Sequence, residues 1–359
     1  MPPSRTWAEI DLSSIRHNVR ELKRRASGSR LMAVVKADAY GHGAAPVAKA
    51  ALEAGADSLA VVTVEEGAEL RGAGVSAPIL VFTDLFPEKL PMAKGLAFAV
   101  TAHSIESAKR ISKHFGLEAH LKVNTGMNRW GVAPSEAGEA RKILGSQLAG
   151  VYTHFASADS DGDATDGQIR VFDDVLAAHS FGDVLVHAAN SAATLWHPES
   201  HYGLVRPGVA VYGLHPAGGD AASESLRPAM SLKSYVADVR RLSPGEGVSY
   251  GLTFRAGEAM FTATVPVGYA EGYRRVLSGK SEALIGGRRR PLLGRVTMDA
   301  SVFAADEGVS VGDEVVLLGR QGDGAVSAEE LGALAGTINY EITTGVDPRR
   351  VERSFLDVR

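Results

Sequence analysis

An apolar run, "LMAVV" at 31–35, ends in a lysine, Lys36, and then breaks into "ADAYGHG" at 37–43. Such a run suits a strand covered on both faces, so the ammonium at its end either snorkels to water or sits desolvated with a depressed pKa. A desolvated lysine amine is able to form an imine with a carbonyl or to carry a proton. Other chemically able groups follow similar runs: Lys122 in "HLKVN", His154 after "GVYT", Asn190 and Ser191 after "DVLVHAA", and Arg206 in "GLVRPG". Arg129 lies a little further on in "NTGMNRWG", and Asp38 and Tyr40 come directly behind Lys36. Two lysines, two arginines, a histidine and a tyrosine make a basic site that suits an anionic ligand. "NSAAT" and "RPGVAVYG" add a small hydroxyl and backbone N–H groups beside glycine, as phosphate cradles do. A phosphate-bearing aldehyde cofactor would use both the cradle and the strand-end lysine. Pyridoxal phosphate, held as an imine by Lys36, meets that description.

The elements that must position these groups are legible as an alternation. Strand candidates are "LMAVVK" (31–36), "DSLAVVT" (57–63), "PILVF" (78–82), "LAFAV" (96–100), "EAHLKVN" (118–124), "GVYTHF" (150–155), "DVLVHAAN" (183–190) and "GLVRPGVAVYG" (203–213). Between them, segments such as "HGAAPVAKAALEAG" and "SIESAKRISKHFG" carry a helical apolar period with glycine near the end. Eight alternations predict a (β/α)8 TIM-type barrel over residues 8–225, whose chemistry gathers at the carboxyl ends of the strands. A doubly wound open sheet is the runner-up, weakened because no GxGxxG follows the first strand. "SADSDGDATDG" (157–167) reads as a turn-like connector, and it lacks the twelfth-position glutamate of a calcium loop.

Beyond residue 225 the texture changes. "SLKSYVADVRRL", "GEAMFTATVPVGYAEGY" and "VGDEVVLLG" alternate apolar and polar residues without a long helical period. Residues 226–359 therefore predict an all-β domain, with residues 1–7 available to pack on it.

Composition bounds the function. The chain has 359 residues, 45% hydrophobic and 22% charged, with a formal net charge of −4, so nothing points to nucleic acid or a membrane surface. It has no cysteine, which excludes disulfides, thiolate catalysis and zinc–cysteine sites, and no metal site is expected. No stretch approaches the roughly 20 apolar residues of a membrane helix. The first residues, "MPPSRTWAEIDLSS", lack the apolar core of a secretory signal, so a cytoplasmic protein is expected.

"AVVKADAYGHG", "KVNTGMNRWG", "THFASAD", "ANSAAT", "VRPGVAVYG", "VSYGLTF", "VGYAEGY", "VTMDA" and "TINYE" resemble, in order and across residues 7–350, the motifs of bacterial alanine racemase. The resemblance implies a fold-type III pyridoxal-phosphate enzyme working as a head-to-tail homodimer, interconverting L- and D-alanine and supplying D-alanine for peptidoglycan. It implies that Lys36 forms the imine and serves as base on the D-face. Tyr250 would be the opposing acid/base on the L-face, donated across the interface. Racemisation needs a proton removed from one face and returned to the other, and a tyrosine can serve if neighbouring cations lower its pKa from about 10.

The resemblance further implies that Arg206 faces the pyridine nitrogen, which stays unprotonated because a guanidinium does not hand over its proton. His154 would link Arg206 to Tyr250. Arg129 would clamp the substrate carboxylate, a planar bidentate pairing, with the Met298 N–H assisting from the other subunit. Lys122 resembles a lysine often carbamylated, the carbamate holding Arg129; a plain Lys122–carboxylate pair is the alternative. Tyr40, Ser191, Gly208, Val209 and Tyr340 would cradle the phosphate. Tyr269 and Asp299 would narrow the entrance and order the loop beside Met298. Departures are modest: "VTMDA" has Thr297 and Ala300 where the family commonly shows cysteine and a larger polar residue, and the tail lacks the family's R-V-P-R ending.

Three other functions compete. A racemase of serine or a larger amino acid would share every motif. A non-catalytic pyridoxal-phosphate-binding barrel would stop near the barrel's end, whereas this chain carries a β half with Tyr250 and Met298. A decarboxylase of the same fold type would want an acidic partner at the pyridine nitrogen, where this chain offers Arg206.

Overall fold

The computed structural model describes residues 4–26 and 28–357. Strand β1 (Trp7–Asp11) comes first, followed by the helix Leu12–Arg25, which Asp11 caps by accepting the Ser13 N–H at 2.8 Å. Eight short parallel strands then close a barrel: β2 (Arg30–Val34), β3 (Ser58–Val61), β4 (Ile79–Val81), β5 (Phe98–Ala102), β6 (Ala119–Lys122), β7 (Leu148–Tyr152), β8 (Leu185–His187) and β9 (Leu204–Val205). Each of the eight expected runs overlaps one of them, with β2, β5 and β7 reaching one or two residues past the expected bounds. Helices return the chain between strands, and two begin with capping boxes, Thr63 with Glu66 and Ser104 with Ser107.

Strand parity sorts the barrel's side chains. Leu31, Ala33 and Val35 of the first run, Leu59 and Val61 of β3, and Ile79 and Val81 of β4 pack outward in the main core. The intervening Met32, Val34, Ala60 and Leu80 join Leu204 in a separate small cluster that fills the barrel interior. Leu80→Ala would leave a void there at a cost of about 2–5 kcal/mol.

The second domain is a sheet of ten strands. In chain order its strands are β1, β10 (Met230–Tyr235), β11 (Asp238–Leu242), β14 (Met260–Val265), β15 (Glu282–Ile285), β16 (Arg288–Leu293), β17 (Ser301–Ala305), β18 (Glu314–Gln321), β19 (Gly324–Val326) and β20 (Glu352–Leu356). Between β11 and β14 a separate two-stranded ribbon joins β12 (Gly247–Val248) to β13 (Phe254–Arg255). β1 lies between antiparallel β10 and parallel β20, so the segment that packs on this domain runs to Asp11 and leaves residues 1–3 outside the described chain. Two short helices, Ala328–Ala335 and Asn339–Thr344, interrupt the otherwise all-β part. The expected connector at 157–167 is half helix: Asp161 caps the helix Gly162–Ala178 by accepting the Ala164 N–H at 3.0 Å, which outweighs the local glycines. No described helix is long and apolar enough to cross a membrane.

Candidate active site

Continuing the inward parity of each barrel strand past its last hydrogen bond gives the site. Met32 and Val34 lead to Lys36, His120 to Lys122, Tyr152 to His154, and Leu204 to Arg206. His187 ends β8 on the same side. The barrel thus sends its inward cations and imidazoles to one mouth.

Lys36 is half-buried and its amine lies 5.9 Å from the centre of the Tyr40 ring. Burial pushes the amine below the ordinary lysine pKa, the Arg129 charge adds to this, and Glu66 opposes it. The backbone behind it is unusual. Ala37, Asp38 and Ala39 have φ of 50, 51 and 54° with ψ near φ, and Tyr40 has φ 53°, so the chain makes one left-handed helical turn without glycine. A left-handed conformation costs an L-residue roughly 1–2 kcal/mol, so four in succession cost on the order of 4–8 kcal/mol. The turn swings the Tyr40 ring under the barrel mouth, 4.9 Å from Tyr212 and 6.1 Å from Tyr340. Burial raises the pKa of both Tyr40 and Tyr340, which stay protonated donors.

Lys122 is buried, with its amine 5.7 Å from the Tyr152 ring and 5.9 Å from that of Trp130. Burial and then the charges of Arg129, Arg206 and Lys36 push it down to about 8. Every charge acting on it is cationic, and no carboxylate pairs with it among the described residues. Arg129 is exposed on the loop after β6, its guanidinium 5.8 Å from the Trp130 ring. Asn124 shapes that loop by accepting the Gly126 and Asn128 N–H groups at 3.2 and 3.0 Å.

Arg206 is the most tightly held cation. It donates to the carbonyls of Thr153 (2.8 Å) and Ala188 (2.9 Å) and to Nδ1 of His187 (2.9 Å), with His154 Nδ1 at 3.4 Å. Burial lowers it to about 10, so it remains charged at neutral pH. Burial, then Arg206, keeps His154 and His187 well below the ordinary histidine range and therefore neutral.

Ser191 opens the helix Ser191–Trp196, which Asn190 caps through the Ala193 N–H at 3.0 Å. The Ser191 hydroxyl accepts the N–H groups of Gly208 (2.9 Å) and Ala210 (3.2 Å), tying the helix start to the loop that carries Val209. A Cβ on Gly208 would stand 2.5 Å from the Tyr40 hydroxyl, so only glycine lets the tyrosine meet this loop. A helix start, a glycine loop, two protonated tyrosines and a depressed lysine amine form a donor set that fits a phosphate-bearing aldehyde such as pyridoxal phosphate.

Lys36, Tyr40, Lys122, Arg129, His154, Ser191, Arg206, Gly208, Val209 and Tyr340 are therefore gathered by one chain. Tyr250, Met298 and Tyr269 are not: they stand 75, 55 and 43% exposed on the β domain. Tyr250 follows Ser249, a non-glycine residue at φ 62° whose hydroxyl donates to the Arg295 carbonyl at 2.7 Å. The Tyr269 N–H donates to the Thr297 carbonyl (3.1 Å) and the Ala270 N–H to that of Met298 (2.9 Å), so the two exposed loops form one unit. The Asp299 carbonyl in that unit accepts from Arg5. Residue type alone passed over Thr101, His120, Tyr152 and His187. Tyr152 stacks on His187 at 4.8 Å and bonds Thr101 at 3.0 Å, and the polar residues at inward parity were the signal available.

A family model described as alanine racemase, N-terminal domain, matches residues 10–216, and one described as alanine racemase, C-terminal domain, matches 229–355. The chain is similar to an alanine racemase of Symbiobacterium thermophilum, 46% identical over 98% of this chain and 97% of the relative. It is 40% identical to alanine racemase 1 of Bacillus subtilis, over 98% of this chain and 93% of that one. The crystal structure of alanine racemase from D-cycloserine-producing Streptomyces lavendulae superposes with a TM-score of 0.93, at 38% identity, covering 100% of this chain and 99% of that one.

Proposed function

The chain belongs to the alanine racemase family, and from that premise we propose that it interconverts L- and D-alanine with pyridoxal 5'-phosphate held on Lys36. The carrying observation is the inward Lys36 amine, depressed by burial and set beside Tyr40 at the barrel mouth. Bound there, the cofactor would draw electrons from the amino acid's Cα and make its proton removable.

The chain's residues supply the rest. Tyr40, Ser191, Gly208, Val209 and Tyr340 would hold the phosphate, and Arg206 would serve the pyridine nitrogen as a donor that keeps its own proton. Lys36 takes or returns the Cα proton on the D-face. The partner subunit's Tyr250 serves the L-face, and the partner's Met298 offers its N–H to the substrate carboxylate beside Arg129. The exposure of Tyr250, Met298 and Tyr269 supports this head-to-tail homodimer, because each is a large side chain left exposed on the β domain. His154 extends the Arg206 contact toward Tyr250, and Tyr269 and Asp299 brace the Met298 loop at the entrance. Lys122 carries a carbamate that holds Arg129. The same proposal puts the enzyme in the cytoplasm, its D-alanine supplying peptidoglycan.

The test is production of D-amino acid by the purified protein with added pyridoxal phosphate, offering L-alanine beside L-serine and L-lysine. Rapid conversion of L-alanine is expected. Faster conversion of serine would move the substrate assignment. Cofactor uptake without conversion of any substrate would leave only a binding protein.

A further inference from the structure

The left-handed turn behind Lys36 is gripped both from within the barrel domain and from the β domain. Its own bonds are those of a helical turn: Ala39 N–H to the Val35 carbonyl at 2.9 Å, Gly41 N–H to Ala37 at 3.0 Å and Gly43 N–H to Asp38 at 2.9 Å. Right-handed alternatives could make bonds as good, so these do not select the hand. Selection falls to groups that grip the turn at fixed points. Glu66 accepts the Ala37 N–H at 2.7 Å, and one Asp38 carboxylate oxygen accepts the Ala44 N–H at 2.7 Å. The other Asp38 oxygen pairs with the guanidinium of Arg353, which comes from β20 at the edge of the β-domain sheet.

The contact is more than a surface pair. The Arg353 side chain is 12% exposed, its Nε is buried without a partner, and Asp38 is the only carboxylate paired with it among the described residues. Around it the turn is pressed against the same C-terminal segment. A Cβ on Gly41 would lie 2.1 Å from the Thr343 carbonyl oxygen, and one on Gly43 would lie 2.8 Å from the Phe355 ring. Tyr340 stands on the helix that ends at Thr344, so this segment touches both the lysine turn and the far side of the cradle.

We propose that Arg353 is a positioning residue: by pairing with Asp38 it holds the turn left-handed, and so sets where the Lys36 amine and the Tyr40 hydroxyl stand. The proposal rests on the assignment of Lys36 and Tyr40 to the cofactor. It makes the C-terminal strand part of the binding apparatus although no atom of it does chemistry. A chain whose turn is competent for only a fraction of the time binds with its affinity reduced by that fraction.

Arg353→Met, Arg353→Lys and Asp38→Asn test it with two readouts. In cofactor-free protein, amide hydrogen exchange over 37–43 should speed by about tenfold or more in Arg353→Met and Asp38→Asn while the barrel-strand amides keep their rates. The dissociation constant for pyridoxal phosphate, read from the visible absorbance, should rise about tenfold in the same variants. Arg353→Lys, which still offers one donor to Asp38, should restore most of both. Unchanged exchange in Arg353→Met overturns the proposal, as does faster exchange throughout the barrel, which would mark general destabilisation. Faster exchange at 37–43 with unchanged cofactor affinity overturns it too. If the unaltered protein takes up no pyridoxal phosphate, the cofactor assignment falls, and exchange still decides whether Arg353 holds the turn. Should Arg353→Met fail to fold, Asp38→Asn and Arg353→Lys carry both readouts.

Discussion

Arg206 donates to Nδ1 of His187 at 2.9 Å, and this one bond sets the protonation of a buried chain. A guanidinium only donates, so His187 Nδ1 carries no proton and its Nε2–H points to His120 Nδ1, 2.8 Å away. Both imidazoles are thereby neutral with defined tautomers, and Arg206 is aimed by three close acceptors, with His154 Nδ1 as a longer fourth at 3.4 Å.

His187→Phe keeps a ring to stack on Tyr152 but removes the acceptor. The guanidinium then has a buried N–H without a partner, at a cost of about 1–3 kcal/mol. The urea midpoint should fall accordingly, and the visible maximum of the bound cofactor should shift as Arg206 loses its aim. An unchanged midpoint and spectrum would mean that the two backbone carbonyls and His154 fix Arg206 without His187.

Lys36 and Tyr250 should fail differently. Lys36→Ala should lose the visible absorbance of bound cofactor together with turnover. Tyr250→Phe should keep the absorbance and lose turnover by roughly 10²–10⁴-fold, the usual share of a positioned acid or base. In deuterated water Tyr250→Phe should still exchange the α-proton of D-alanine through Lys36, while exchange from L-alanine stops. Equal exchange from both enantiomers would sink the division of faces.

The barrel was legible because each strand is a short apolar run between helical segments, and the rim because Lys36, His154 and Arg206 interrupt such runs at their ends. Parity was legible in principle: Thr101, His120 and Tyr152 alternate with core residues, yet a polar residue inside an apolar run invites being read as packing. The turn at Ala37–Tyr40 was not legible. L-residues favour the right hand, no glycine marks the spot, and the groups that hold it, Glu66 and Arg353, are 29 and 315 residues away from their partners in sequence. Arg353 and Phe355 also account for the tail's altered ending being compatible with the fold, since both reach the turn from β20.

Lys122 should respond to carbon dioxide. With a pKa of about 8 its amine is neutral in about a fifth of molecules at pH 7.4, against roughly one in a thousand for an ordinary lysine. The neutral amine adds carbon dioxide and releases a proton, and the carbamate then sits among Arg129, Arg206 and Lys36. With ¹³C-labelled bicarbonate a carbamate resonance should appear, growing as pH rises through about 8, and Lys122→Ala should remove it. Stripping carbon dioxide should lower turnover by about tenfold or more by freeing Arg129, and bicarbonate should restore it. Absence of the resonance in the unaltered protein would leave Lys122 a bare amine.

The buried histidines make the fold acid-sensitive in a defined window. Burial lowers His42 and His120 from the ordinary 6.5 to about 4, and holds His154 and His187 well below the ordinary value. Above pH 6.5 both folded and unfolded chains keep them neutral and nothing is lost. Between 6.5 and about 4 the unfolded chain takes up protons that the folded chain refuses, so stability falls as pH falls. For His42 and His120 the loss is of order 2–3 kcal/mol each by pH 4. Urea midpoints measured from pH 8 to 4.5 should be level down to about 6.5 and then decline, and His120→Gln, which cannot titrate, should decline less steeply. A midpoint independent of pH across that window would show that the folded barrel accepts these protons, and the neutral chain from Arg206 to His120 would have to be redrawn.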